Sequence, residues 1–159
     1  MKRWAFLSSL ALLALGAQAP ASAPADYRAR APQDEVVYFV LPDRFANGDP
    51  KNDRGGIKGD RLKHGFDPSH KGFYHGGDLN GLLKKLDERL GVRGLWLMPI
   101  TPSADGDHGY ATTEFRNIAP EYGTLADFDA LVERAHALGL KLIIDQVWSH
   151  TAIEHPWFT

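Results

Sequence analysis

Three apolar runs, none alternating between polar and apolar residues, restrict the possible folds of this chain more than any other feature. They are Val36-Val37-Tyr38-Phe39-Val40-Leu41, Gly94-Leu95-Trp96-Leu97-Met98-Pro99 and Leu142-Ile143-Ile144-Asp145-Gln146-Val147. A strand with one wet face alternates, whereas a strand covered on both faces reads as a continuous apolar run. Helical patterns lie between the runs. Leu79, Leu82, Leu83, Leu86 and Leu90 recur at helical spacing before Gly91, and Leu125, Phe128, Leu131, Val132, Ala135 and Leu138 do so before Gly139. Both glycines stand where a helix favours a left-handed C-terminal residue. Thr124, with Asp127 three residues on, has the form of a capping box. The order strand, helix, strand, helix, strand predicts a parallel sheet, with both stripes buried as core.

The polar segments that follow the first two runs, 42–77 and 101–123, far exceed the roughly 2–6 residues usual for a βα loop. In a (β/α)8 barrel such loops leave the strand C-termini and build the active site. A doubly wound sheet predicts a short glycine-rich turn after its first strand, but Pro42-Asp43-Arg44-Phe45-Ala46-Asn47-Gly48-Asp49-Pro50 occupies that place. The barrel is the better reading. Asn47, Asp49, Asn52 and Asp53 put four side-chain oxygens within seven residues, a hard donor set suited to Ca²⁺. It is not an EF-hand, since the twelfth position from Asn47 is Lys58 where a glutamate is needed. The same stretch also reads as a solvated Asn/Asp/Gly turn, and Asp78 as the N-cap of the following helix.

Before Asp26, Met1-Lys2-Arg3-Trp4 supplies positive charge, Ala5 to Ala17 is a short apolar run, and Ala, Pro and Ser follow. This reads as an export signal over residues 1–25, because the run is well short of the roughly 20 residues that span a bilayer. Cleavage after Ala25 leaves 26–159 as the remaining domain, and cleavage after Ala19 is the alternative. The expected location is secreted or periplasmic. With no cysteine, disulfides and a lipid-modified N-terminus are excluded. A net charge of −2 gives no electrostatic reason to expect nucleic acid or an anionic membrane as partner.

Five blocks then carry a family resemblance: 37–45, Gly76-Gly77-Asp78-Leu79, His108-Gly109-Tyr110, Tyr122-Gly123-Thr124 and Asp145-Gln146-Val147-Trp148-Ser149-His150. In this order they resemble the α-amylase family of glycoside hydrolases, glycoside hydrolase family 13. The resemblance implies that the chain is the N-terminal part, about three βα units, of a (β/α)8 TIM barrel. It further implies a retaining hydrolase acting on α-glucans such as starch or maltodextrin, through α-1,4 and α-1,6 bonds. Family members that form cyclodextrins bind calcium at positions matching Asn47, Asp49, Asn52 and Asp53, together with Gly76 and Asp78. By the same resemblance Tyr110 stacks on a glucose ring, His150 bonds its 6-hydroxyl, and Asp145 orients an arginine of the next strand. His108 shapes the turn that presents Tyr110.

Two departures stand out. Ser149 replaces the asparagine that serves a second calcium ion in many relatives, and Glu114-Phe115 replaces an Asp-Tyr pair. The two carboxyl groups that retaining hydrolysis requires come, in this family, together with a third acid from the fourth, fifth and seventh strands, and a whole barrel takes roughly 250 residues. The expectation is therefore a fragment that is inactive alone, with catalysis carried further along. An α-glucanotransferase or cyclomaltodextrinase-like enzyme is the alternative within the family. Outside it stands a non-catalytic exported calcium- and sugar-binding module.

Overall fold

A computed structural model describes residues 26–86, 91–104 and 109–158. The leader, Leu90 and His108 lie outside the described residues. Strands β1 (Val37–Val40), β2 (Gly94–Leu97) and β3 (Lys141–Ile144) form one parallel sheet in the order β1-β2-β3. The register sets Phe39, Trp96 and Ile143 in one row and Val40, Leu97 and Ile144 in the next. The third strand ends at Ile144, short of Val147. Pro99 has no N–H, so the ladder on β2 stops near Met98 and leaves no neighbour for Gln146 or Val147. Asp145 makes the last rung, its N–H bonding Leu97 O at 2.9 Å.

Among the described residues four α-helices accompany the strands: α1 (Pro42–Phe45), α2 (Arg61–His64), α3 (Leu79–Leu86) and α4 (Leu125–Ala137). The helices α3 and α4 cover one face of the sheet. Leu79, Leu82 and Leu86 meet Leu131 and Ala135 over Val40, Leu95 and Leu97, with Leu142 and Ile144 partly buried beside them. The row Phe39, Trp96 and Ile143 points the other way and is exposed, with Phe39 and Trp96 edge to face at 5.5 Å. On α4 the buried stripe is shorter than the sequence suggests. Leu125 and Leu138 are exposed, because they occupy the first helical position and the C-cap, beyond the packed turns. The capping box forms as read: Asp127 N donates to Thr124 Oγ1 at 3.2 Å and Thr124 N donates to Asp127 Oδ2 at 2.8 Å. Asn80 Nδ2 also donates to Asp127 Oδ1 at 3.1 Å, which joins α3 to α4.

The long segment after β1 is closed by two buried carboxylates. Asp43 Oδ1 accepts the N–H groups of His75 at 2.6 Å and Gly76 at 3.1 Å. Asp78 is fully buried. Its Oδ1 accepts from Gly48 N at 3.0 Å and Gly81 N at 2.7 Å, and its Oδ2 from Asp49 N at 2.8 Å and Asn52 Nδ2 at 3.1 Å. Asp78 is thus the N-cap of α3 and the clip for the loop. Glycines allow this approach: a Cβ on Gly81 would stand 1.8 Å from Ala46 O, and one on Gly77 2.1 Å from Pro42 O.

At the opposite end of the sheet, Arg30 grips Glu35 through Nε at 3.1 Å and Nη2 at 3.1 Å and also bonds Arg93 O. Lys141 Nζ joins Glu35 Oε1 at 2.7 Å and Arg30 O at 3.1 Å. This network spans the chain before β1 and the entries to β2 and β3. Hydrogen bonds from Arg30 and then Lys141 hold the Glu35 carboxyl below its ordinary value of 4.5.

Two outcomes follow from these clips. Asp78→Asn presents an amide donor where N–H groups need an acceptor, and bonds to a charged group contribute about 1.5–3 kcal/mol each. The expected loss in chemical denaturation is on the order of 3 kcal/mol. A depressed carboxyl contributes stability above its unfolded pKa, and that contribution is lost as pH falls through the lower folded value. Thermal melts should therefore lose stability below about pH 4.5, and Glu35→Gln should remove part of that slope.

Candidate functional site

The candidate sugar-binding residues come from two loops at the C-terminal edge of the sheet. Tyr110 lies on a tongue held by Ala104 N to Ala111 O at 2.9 Å and Thr113 N to Pro102 O at 2.9 Å. Gly109 turns the chain into it at φ 90°, where a Cβ would fall 2.6 Å from Pro99 O. Asp145 follows β3 directly, and His150 stands five residues later. The structure brings all three together. Tyr110 Oη donates to Asp145 Oδ2 at 3.0 Å, and His150 Nε2 lies 2.9 Å from the backbone oxygen of Tyr110. Ala152 N bonds Thr112 O at 2.9 Å, which ties the two loops a second time. The outcome is one rim carrying a phenol ring, an imidazole and a carboxylate, an arrangement suited to holding a polyhydroxylated ring.

The second set of sequence-selected residues gathers in the loop after β1. Asn47 Nδ2 donates to Asp53 Oδ1 at 2.7 Å. Gly76, at φ 90°, leaves the space beside them open, since a Cβ there would lie 2.7 Å from both atoms. Asn52 gives its Nδ2 to Asp78, while its Oδ1 is buried without a hydrogen-bond partner. Asp49 Oδ1 accepts from Lys51 N at 3.1 Å. Burial raises the Asp53 carboxyl against the bond from Asn47, and the charges of Asp78 and Asp49 raise it further. Among the described residues no three His, Cys, Asp or Glu side chains form a metal-binding group. The sequence-selected residues here are two amides, three carboxylates and a glycine.

Residues outside the sequence-selected binding set also surround His150. Ser149 Oγ stands 2.9 Å from His150 Nδ1. Phe115 stacks on Trp148 at 6.3 Å and on Trp157 at 5.9 Å, and His155 packs against both Phe115 and Trp157. Together with His150 they line a groove of about 980 Å³. Apolar residues after a strand were the available signal, but pairing Phe115 with Trp148 required the fold.

Comparison with known proteins identifies the family. Residues 39–159 match the family model of the α-amylase catalytic domain. The probable oligo-1,6-glucosidase 2 of Bacillus subtilis is 45% identical over 130 residues, which is 79% of this chain and 19% of that protein. The periplasmic α-amylase of Escherichia coli is 38% identical over 156 residues, 88% of this chain and 22% of that protein. The crystal structure of an Anoxybacillus α-amylase superposes with a TM-score of 0.70 at 41% identity, covering 80% of this chain and 27% of that one. The chain thus spans about a fifth of the length of the two curated relatives. With three parallel strands in register joined through α3 and α4, and long loops after β1 and β2, it is the N-terminal portion of a (β/α)8 barrel and belongs to the α-amylase family of glycoside hydrolases, family 13.

Proposed function

We propose that the full-length polypeptide hydrolyses α-glucans with retention, and that the residues here grip the glucose unit next to the bond that is cut. The observation that carries this reading is the contact of Tyr110, Asp145 and His150 across two loops. The flat face of Tyr110 offers an apolar surface to a sugar ring. His150 offers a ring nitrogen to a hydroxyl. Asp145 is anchored by the Tyr110 hydroxyl, and in the family pattern it orients an arginine of the following strand. His108 serves the turn before Tyr110. The nucleophile and the acid/base fall to strands beyond this chain, so these residues contribute binding and orientation rather than bond cleavage. Residues 1–25 direct export, which places the enzyme outside the cytoplasm, as the name of the periplasmic relative says of that protein.

We further propose that calcium braces the β1 loop through Asn47, Asp49, Asn52, Asp53, the Gly76 carbonyl and Asp78. The support is the buried, unpartnered Asn52 Oδ1. An unsatisfied buried acceptor costs about 1–3 kcal/mol, and a cation relieves that cost. Turning the amide over would set two oxygens against each other at the Asp78 edge, a position that equally calls for positive charge. The acids crowded around Asp53 are stabilised in the same way. The ion would act as a structural clip and take no part in the reaction.

Titration calorimetry of the full-length protein with maltooligosaccharides tests the grip. Tyr110→Ala and His150→Ala should each weaken binding by at least about tenfold, the scale of one lost contact, and unchanged affinity in both would dismiss the reading. For calcium, ligand at 100 times its Kd adds about 2.7 kcal/mol, or about 5–10 °C in Tm at 2–4 °C per kcal/mol. Chelation should lower Tm by that amount in the wild type and by little in Asp53→Ala.

A further inference from the structure

The imidazole of His150 is held at both ends, and the two partners differ in kind. At Nε2 stands the backbone oxygen of Tyr110, 2.9 Å away. A carbonyl oxygen only accepts, so Nε2 must carry the hydrogen. An uncharged imidazole has one N–H, which leaves Nδ1 bare and able to accept. Ser149 Oγ lies 2.9 Å from Nδ1 and has a hydroxyl hydrogen free to rotate toward it. The two contacts are therefore complementary for a single tautomer.

We propose that Ser149 is a positioning residue for substrate binding: its hydroxyl donates to Nδ1 and, with the Tyr110 carbonyl at Nε2, fixes the plane and tautomer of the His150 ring. This rests on the reading that His150 grips the sugar. One hydrogen bond at Nε2 leaves the ring free to swing about its broad terminal torsion. A second bond on the far side of the ring removes that freedom. The Nε2–H then points along one direction at the rim, toward the Tyr110 carbonyl, and the sugar oxygen of the proposed grip shares that hydrogen as a second acceptor. Tyr110 is fixed in turn from two sides, its backbone by His150 and its phenol by Asp145. Ser149, His150, Tyr110 and Asp145 therefore form one continuous chain of bonds joining the loops after β2 and β3, and Ser149 is its outer end.

The test is a matched pair of variants in the full-length protein. Ser149→Val and Ser149→Thr have the same shape and differ in the hydroxyl. Nitrogen-15 spectra of the histidine rings at pH 8, above the ordinary histidine value of about 6.5, read Nδ1 directly. In Ser149→Val the His150 Nδ1 resonance should move toward that of a ring nitrogen with no donor, and in Ser149→Thr it should stay near the wild-type position. With maltooligosaccharide substrates, Ser149→Val should lower kcat/KM by about tenfold, the scale of one hydrogen bond, and Ser149→Thr should remain within about twofold. His150→Ala is the reference. If it loses kcat/KM while Ser149→Val matches the wild type in spectrum and kinetics, the role given to Ser149 is wrong. If His150→Ala leaves kcat/KM intact, the sugar grip itself is wrong, and the spectra still decide whether Ser149 holds the ring.

Discussion

A single buried carboxylate organises the first third of this domain. Asp78 has no contact with solvent, and a charge so placed is tolerated only when donors surround it. Its two oxygens accept from three backbone N–H groups and one amide. One donor is the third N–H of α3, and the others belong to the loop after β1. Helix start and loop are therefore one unit. The helix in turn packs against β2 and α4, so the position of the loop relative to the sheet is set by a helix N-terminus whose positive end favours the same negative charge. The candidate cation set includes Asp78 itself, and Asn52 and Asp49 are held near it by the bonds they give it.

The rim proposed to hold the sugar is built on a different logic. Backbone rungs align the loops after β2 and β3, and side chains close the gap between them. Asp145 sits where the parallel ladder ends, because the next position has no partner on β2. Its side chain is free to meet Tyr110 for that reason. The tongue that presents Tyr110 depends on Gly109, whose backbone approaches Pro99 too closely for any side chain. The same proline ends β2, so one residue both terminates the strand and shapes the turn that follows it.

What could be read from the chain alone was local. The apolar runs gave the three strands, the leucine spacing gave α3 and α4, and the Thr124 and Asp127 pair gave a helix start that the structure reproduces in both bonds. Strand ends were less legible, since Val147 looks like a strand residue and only the absence of a neighbour across from it shows otherwise. At the α4 ends, Leu125 and Leu138 fit the stripe by spacing but overhang the packed turns. The nearness of Tyr110, Asp145 and His150 was anticipated from resemblance and not from spacing. The Ser149 contact and the stacking of Phe115 on Trp148 were illegible for a physical reason: their meaning depends on partners brought close by folding across two loops. The four donors on Asp78 were hidden likewise, because three of them come from residues 26 to 30 positions away.

The close approach of Gly48, Gly77 and Gly81 to opposing backbone divides the long β1 loop into parts with unequal freedom. Near its two ends the chain path is locked, for any added atom collides with main chain that cannot retreat. Between them, from 54 to 64, a Cβ on Gly56 would touch nothing within 4 Å, and Ile57 and Leu62 stand half exposed or more. Such a loop behaves as a rigid collar with a replaceable insert. Length and chemistry can drift in the insert at little mechanical cost, while the collar keeps whatever is grafted there aimed over the same mouth of the barrel.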